Sequence, residues 1–410
     1  MCKSLSKFCK QTRALYVKLC KKQKQNNNMG TLKIKNQFNS ITDLITPKQN
    51  AGATTYDMVV FCHLRWEFVY QRPQHLISRF AKNFKILFIE EPIGRDGSGE
   101  SGKLTIINEN LHVLQPKVNV IDEIADILPE YILNKSVEIG WFYSAAFVPL
   151  LDAFDFESIV YDCMDELTLF KGAPAELLVQ EKFLIANAHI VFTGGKSLYE
   201  SKKTMHGNVF CFPSSVDREH FEKALNGIAI PEDVASLTKP IAGYYGVIDE
   251  RIDMKLLEET AKMNPDVDFV MVGPLAKITD ADLPKPGNIH YPGMRSYEEL
   301  PHYLKAFSVA IMPFAMNDAT KFISPTKTLE YMSAGKPIIS TPVKDVVRDY
   351  SHCVSIVETA EEFSTALRKI LSETEPNLPR RANYCQILER TSWDNTAEKM
   401  NLLITKTAKS

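Results

Sequence analysis

From residue 57 onward, short apolar runs alternate with stretches of helical spacing, and this alternation leaves few folds open. Uninterrupted apolar runs of strand length suit strands buried on both faces, and intervening helices make them parallel; βαβ units are the economical solution. In the first half the predicted strands are MVVFC (58–62), KILFIE (85–90), VEIGWFY (137–143), SIVYD (158–162), HIVFTG (189–194) and NVFCF (208–212). Residues 222–239 are weakly patterned, with Asn226, Gly227, Pro231 and Pro240 nearby, and read as an interdomain linker. A second series follows: IAGYYGV (241–247), FVMVG (269–273), NIH (288–290), VAIMPF (309–314), PIIST (337–341) and CVSIV (353–357). The expectation is α/β, two doubly wound domains in tandem over 56–225 and 226–390, after an extension over 1–55. A chain of 410 residues has room for both cores, since single cores stop growing at about 250 to 300 residues.

Open parallel sheets bind ligands beyond the carboxyl ends of their strands, so residues just after a strand carry the functional interest. After VAIMPF comes SPTKTLEYMSAGKP (324–337), with Ser324 as a cap, Pro325 at the first helical position and Gly335 as the stop. First turns favour acids, yet this one presents Lys327. A helix N-terminus with an adjacent ammonium suits a diphosphate, although a solvated surface lysine satisfies the same pattern. Arg251, in GYYGVIDERID, is expected at the head of the helix after another strand, where two cations can converge on one diphosphate. Glu330 lies three residues past Lys327 on nearly the same face; its carboxylate suits vicinal ribose hydroxyls, or is an ordinary surface glutamate.

Composition narrows the partners. The net charge is −2, yet residues 1–28 hold eight Lys or Arg and no acid, which leaves the remainder at −10 and argues against a nucleic-acid face. Leu5, Phe8, Leu15, Tyr16 and Leu19 lie among those lysines in roughly helical spacing, as in a peripheral helix on an anionic membrane. A basic tail without structure, or an extension upstream of a start at Met29, fits the same residues. The eight cysteines are scattered with no CxxC pair, which fits a cytoplasmic location, at the inner face of the membrane if the tail binds there. No run approaches the ~18 apolar residues of a membrane span.

Taken in order, FPSSVDREHF (212–221), GYYGVIDERID (243–253), FVMVGP (269–274), NIHYPGMRSYEELPHYLKAFSVAIMPF (288–314), SPTKTLEYMSAGKPIIST (324–341) and SWDNTAEKM (392–400) resemble the GT-B glycosyltransferases of the group 1 class. The resemblance covers residues 56–410 and implies two Rossmann-like domains facing a cleft, with a C-terminal helix (391–410) crossing back to the first. It implies a nucleotide diphosphate sugar as donor substrate, no cofactor and no metal. Gly246, Arg251, Gly273, Arg295, Ser324, Thr326, Lys327, Thr328 and Glu330 then form the donor site, with Lys327 and Arg251 assisting departure of the nucleoside diphosphate. One departure stands out: retaining members commonly carry a second glutamate, separated by seven intervening residues from the position of Glu330, and there this chain has Phe322. Retention or inversion at the anomeric carbon stays open.

In the first domain, HLRWEFVYQRPQHL (63–76) and YDCMDELTLFKGAP (161–174) resemble a subgroup associated with surface polysaccharides. Arg72, Gln74 and His75 at a helix start, Glu166, and the Gly194-Gly195 turn are the acceptor-side candidates. Asp162 and Asp165 are candidates for the catalytic base, because crowded carboxylates raise one another's pKa. The bland readings are a stabilised turn, a packed histidine, a solvated acidic loop and a tight strand-to-helix connection. Asp280-Ala-Asp282 formally matches a metal-binding DxD but lies in a proline-rich loop. The function expected is sugar transfer to a glycan or lipid-linked acceptor; an epimerase or hydrolase of the same fold, or a non-catalytic partner subunit, would share the donor site. A second open pocket lined by QRPQH and YDCMDE separates transferase from epimerase.

Overall fold

The computed structural model describes residues 53–374 and 377–408. The first sheet is built from β1 (Met58–Cys62), β2 (Ile86–Glu90), β3 (Gly102–Asn108), β4 (Leu111–Pro116), β5 (Ser136–Phe142), β6 (Asp155–Cys163), β7 (Ile190–Thr193) and β8 (Val209–Cys211). Their order is β3-β4-β2-β1-β5-β6-β7-β8, all parallel except the edge strand β3. β1 and β2 are buried at every residue, as continuous apolar runs require when helices cover both faces. The β3–β4 hairpin is absent from the sequence expectation. β3 is largely exposed and carries Lys103, Thr105 and Asn108 on an edge, so it lacks the apolar run by which its neighbours announce themselves.

The second sheet comprises β9 (Ile241–Tyr245), β10 (Asp268–Val272), β11 (Ile289–Gly293), β12 (Val309–Met312), β13 (Ile338–Ser340) and β14 (Ser355–Ile356). It runs β11-β10-β9-β12-β13-β14, parallel throughout, so the direction of winding reverses between β9 and β12. A crevice at that reversal is where such sheets hold ligands. Both strands that flank it are followed by sequence-predicted donor residues, Gly246 after β9 and the 324–330 segment after β12.

Each sheet has its own apolar packing, on both faces of the first and around the second. Val216, Phe221 and Ala224 already pack in the second core, which sets the crossing several residues before the expected boundary at 225. The last helix, Trp393–Ala408, returns to the first sheet and buries Trp393, Ala397, Met400 and Ile404, a helical stripe. Its first turn is pinned by Arg79 to Asp394 at 3.1 Å. Residues 1–28 and most of the extension over 1–55 lie outside the described residues. Among the described residues no helix is long and apolar enough to cross a membrane.

The two halves are fastened by polar contacts. Asp345, from the Lys344–Tyr350 helix of the second half, accepts from the Ser197 amide at 3.1 Å and from its hydroxyl, and so caps the Lys196–Lys202 helix of the first. Lys196 pairs with Asp349, while Lys344 and Arg348 both reach Glu200 at 3.1 Å. Phe322 packs its ring against the first half's core.

Candidate functional site

The site forms where the ends of β9, β10 and β12 meet the loop after β6. Gly246 ends β9 with φ +136°, and its N–H donates to the Val272 carbonyl at 2.8 Å. A Cβ at Gly246 would collide with the Lys327 side chain, so only glycine lets that lysine lie across the strand end. A Cβ at Gly273, with φ +147°, would strike the Gly246 carbonyl; these two glycines let loops approach each other.

The helix after β12 runs Lys327–Ser333, two residues later than Pro325 at its first position predicts. Thr326 occupies the cap position without a side-chain bond, so Ser324 is not the cap and Glu330 falls within the first turn. Gly335, at φ +63°, ends the helix as expected. Lys327 is half-buried with its ammonium 5.5 Å from the centre of the Tyr244 ring, and among the described residues it has no hydrogen bond or ion pair. Burial lowers its pKa, Glu330 opposes that shift and Arg251 reinforces it.

Arg251 sits in the turn before the Met254–Met263 helix, whose cap is Asp253, so it is not the helix head that the sequence suggests. Its guanidinium is clamped by Asp249 (Nε–Oδ1 3.0 Å, Nη2–Oδ2 2.7 Å) and lies 5.6 Å from the Phe170 ring of the first half. Desolvation pulls its pKa down, but the bonds and charge of Asp249, with Asp165 behind, hold it above the ordinary value.

Asp162 and Asp165 part company. Asp162, the penultimate residue of β6, is fully buried and receives Arg72 through Nε at 3.2 and 3.0 Å and Nη2 at 2.8 Å. The remaining Arg72 nitrogen donates to the Phe212 carbonyl at 2.8 Å, so this pair ties β6 to the interdomain crossing. Such a carboxylate has no access to a proton on an acceptor, and Asp162 drops out as a base. Asp165 lies beyond the strand, its pKa raised by burial against the opposing charge of Arg251.

A narrow cavity of about 90 Å³ gathers Arg72 and Asp165 from the first half with Arg251, Ser324, Thr326 and Lys327 from the second. It shares Gln71, Asp165 and Arg251 with a chamber of about 730 Å³ that opens over the first half, past Phe68, Leu167 and Phe170. Asp165 thus stands between a cationic recess and a roomy, largely apolar one.

Other predicted residues lie elsewhere. Gln74 bonds to the Gln71 amide and the Trp66 carbonyl, holding the loop before its helix. His75 is buried and stacked on Trp393 at 4.8 Å, its pKa driven well below the usual value by burial. Glu166 pairs with Lys202 at 2.8 Å, which also binds Glu181. Gly194 abuts the Met164 backbone within the first half and Gly195 abuts Asp345 and Ser324 of the second, so the turn packs against protein at both glycines. Arg295 is paired with Asp233 at 2.7 Å. Thr328 is buried with its hydroxyl toward the Met312 sulfur. Glu330 is 7% exposed and accepts from the Tyr245 hydroxyl at 2.8 Å, with its pKa raised by burial. Asp282 closes its own turn on Thr279, and Asp280 pairs with Lys285.

Two chamber residues were missed in the sequence. His63, directly after β1, is depressed to a pKa of about 4 by burial and then by the charge of Lys277, and its Nδ1 is unpaired. Lys277 is the only described non-glycine residue with positive φ, +59°, and its ammonium lies 4.8 Å from the Phe170 ring. Position after a strand would have flagged His63; nothing local flags Lys277.

Residues 234–373 match the family model described as Glycosyl transferases group 1. TuaH of Bacillus subtilis (strain 168), a glycosyltransferase named for teichuronic acid biosynthesis, is 25% identical over 217 residues. That match spans 49% of this chain and 54% of the relative, about half of each. Among solved structures, the E. coli trehalose-6-phosphate structure with UDP-2-fluoro glucose bound superposes with a TM-score of 0.62 at 11% identity, over 86% of this chain and 99% of that one. Sucrose-phosphate synthase of Thermosynechococcus elongatus gives 0.62 at 14%, over 85% and 98%, and Anabaena HepE with UDP and glucose gives 0.60 at 12%, over 85% and 99%. Residues 234–373 therefore carry the group 1 glycosyl transferase signature within a chain whose two facing α/β domains have the GT-B fold.

Proposed function

We propose that this protein transfers a sugar from a nucleotide diphosphate sugar to a glycan or lipid-linked acceptor in surface polysaccharide synthesis. The observation that carries the reading is the unpaired Lys327 ammonium beside Arg251 in a narrow cavity, opposite a carboxylate, Asp165, that borders a second, larger chamber. In the step proposed, the bond from the anomeric carbon to the diphosphate oxygen breaks and its electron pair leaves with the diphosphate, beside Lys327 and Arg251. The acceptor hydroxyl oxygen bonds to that carbon and gives its proton to Asp165. Fixed cations act where charge develops, in a site largely cleared of water. Ser324 and Thr326 line the same recess and add hydroxyls for the phosphate oxygens.

The large chamber favours a transferase over an epimerase, which needs no acceptor room; Gln71 and Asp165, from the two first-half motifs, both line it. UDP sugars or UDP bound to two fold neighbours support the donor class, and the biosynthetic name of the B. subtilis relative supports the acceptor class. Residues 1–28 supply positive charge for an anionic membrane bearing lipid-linked acceptors. Their removal should weaken sedimentation with anionic liposomes at low salt while donor affinity stays unchanged; equal sedimentation would refute that role.

The test of the main reading is a panel of UDP, GDP, ADP and dTDP sugars, scored by calorimetry and by slow donor hydrolysis. One nucleotide class should bind selectively and release its diphosphate, and Lys327→Ala should weaken both. Absence of binding across the panel by the folded protein would overturn the assignment.

A further inference from the structure

Behind the interdomain crossing lies a second large cavity, about 750 Å³, that the donor and acceptor chemistry leaves unused. Four parts of the chain enclose it: the head of the Lys196–Lys202 helix, the crossing itself (Cys211–Ser215), the end of the Lys344–Tyr350 helix with His352 beyond it, and the last two helices. Its charge is one-sided. Arg390 and Lys399 line it with no hydrogen bond or ion pair to their side chains among the described residues, whereas the one lining acid, Asp349, is already paired with Lys196. Its remaining polar groups are the His352 imidazole and hydroxyls and amides, including Thr391, Asn395, Thr396 and Gln386. Ser215, 2% exposed, also lines it, and its hydroxyl has no partner.

We infer that this rear cavity binds a small phosphorylated sugar. Two unpaired cations facing one cavity suit an anion, and a space several-fold larger than a bare phosphate leaves room for a group that hydrogen-bonds to the hydroxyls and amides around it. The wall between this cavity and the donor recess is thin: Ser214 lines both, and the neighbouring Phe212 carbonyl accepts from Arg72, which lines the recess.

Calorimetry with ribose 5-phosphate, inorganic phosphate and ribose tests this on the full chain, its Arg390→Ala/Lys399→Ala variant and Lys327→Ala. Both substituted side chains are exposed, so the double variant should melt as the parent does. Ribose 5-phosphate should bind the parent and Lys327→Ala alike, at least tenfold more weakly the double variant, and ribose not at all. Binding lost in Lys327→Ala but kept in the double variant would place the anion in the front recess and overturn the proposal. So would no binding to the parent, or inorganic phosphate binding as tightly as the sugar phosphate. None of these outcomes depends on turnover, so the rear site stands or falls separately from the glycosyltransferase reading.

Discussion

Lys327 and Asp165 bring opposite shifts to one recess: burial lowers the pKa of the ammonium and raises that of the carboxylate. If the working forms are Lys327 charged and Asp165 ionised, both limbs of the pH–rate profile move inward, the acid limb above the ordinary carboxylate value and the alkaline limb below the ordinary lysine value. Lys327→Ala should cost about 2 to 4 kcal/mol of transition-state stabilisation, the scale for one preorganised charge-stabilising donor, and should remove the alkaline limb. Its melting temperature should not fall, because alanine favours helix and a desolvated cation disappears. Unchanged kcat/KM in a folded Lys327→Ala protein would show the lysine to be a bystander. Asp165→Asn should lower kcat roughly 10² to 10⁴-fold as a lost general base. It should also stabilise the protein. A carboxyl whose folded pKa is raised penalises folding only when ionised, so the gain is absent below the unfolded pKa, grows as pH rises and is complete above the folded one. Denaturant midpoints against pH measure this, and a gain largest in acid would contradict the assignment. Strand-end position marked Lys327, Arg251 and Asp165 as candidates in the sequence, and the structure brings them to one recess. That position could not separate Asp165 from Asp162, because the partner that occupies Asp162 lies ninety residues earlier, on another element.

Among elements, those whose stability is local were readable and those that lean on the other half were not. β1, β9 and β12 are unbroken apolar runs, and the structure finds them where the pattern does. The helix at 327 starts late because Pro325 and Thr326 only accept its first turn-like bonds, at 3.2 and 3.0 Å. The Gly194-Gly195 turn looked like a ligand approach; its neighbours are in fact Met164 and, from the second half, Asp345 and Ser324. The Lys196–Lys202 helix has no side-chain cap of its own and borrows Asp345. Asp345→Ala should therefore cost about 1 to 2 kcal/mol, as loss of a cap does, and should loosen the contact between halves. Urea unfolding and hydrogen exchange at 196–202 are the measurements; protection there unchanged from the parent would mean that the cross-domain cap contributes nothing.

For the whole molecule, the proposed transfer raises the question of how a departing diphosphate's charge would be balanced. Metal ions serve that end in many transferases, and Asp280-Ala-Asp282 has the formal pattern. Yet Asp280 is held by Lys285 and Asp282 by Thr279, on an exposed turn, and no group of three or more His, Cys, Asp or Glu side chains among the described residues could hold a metal ion. At the reversal point of the second sheet, by contrast, two cations meet in one recess: Arg251 held rigid by Asp249, and Lys327 carried by the helix after β12. On the proposed reading, these two positive charges would supply to a departing diphosphate what a divalent ion would otherwise bring with the substrate. The expected consequence is that turnover persists in excess EDTA and that added magnesium or manganese changes kcat by less than about twofold, against the tenfold that 1.4 kcal/mol of lost charge balance would give. Initial rates of nucleoside diphosphate release, with and without chelator, decide it. Loss of activity in EDTA with recovery on manganese would show that Lys327 and Arg251 do not suffice, and would return the 280–282 turn to the donor site.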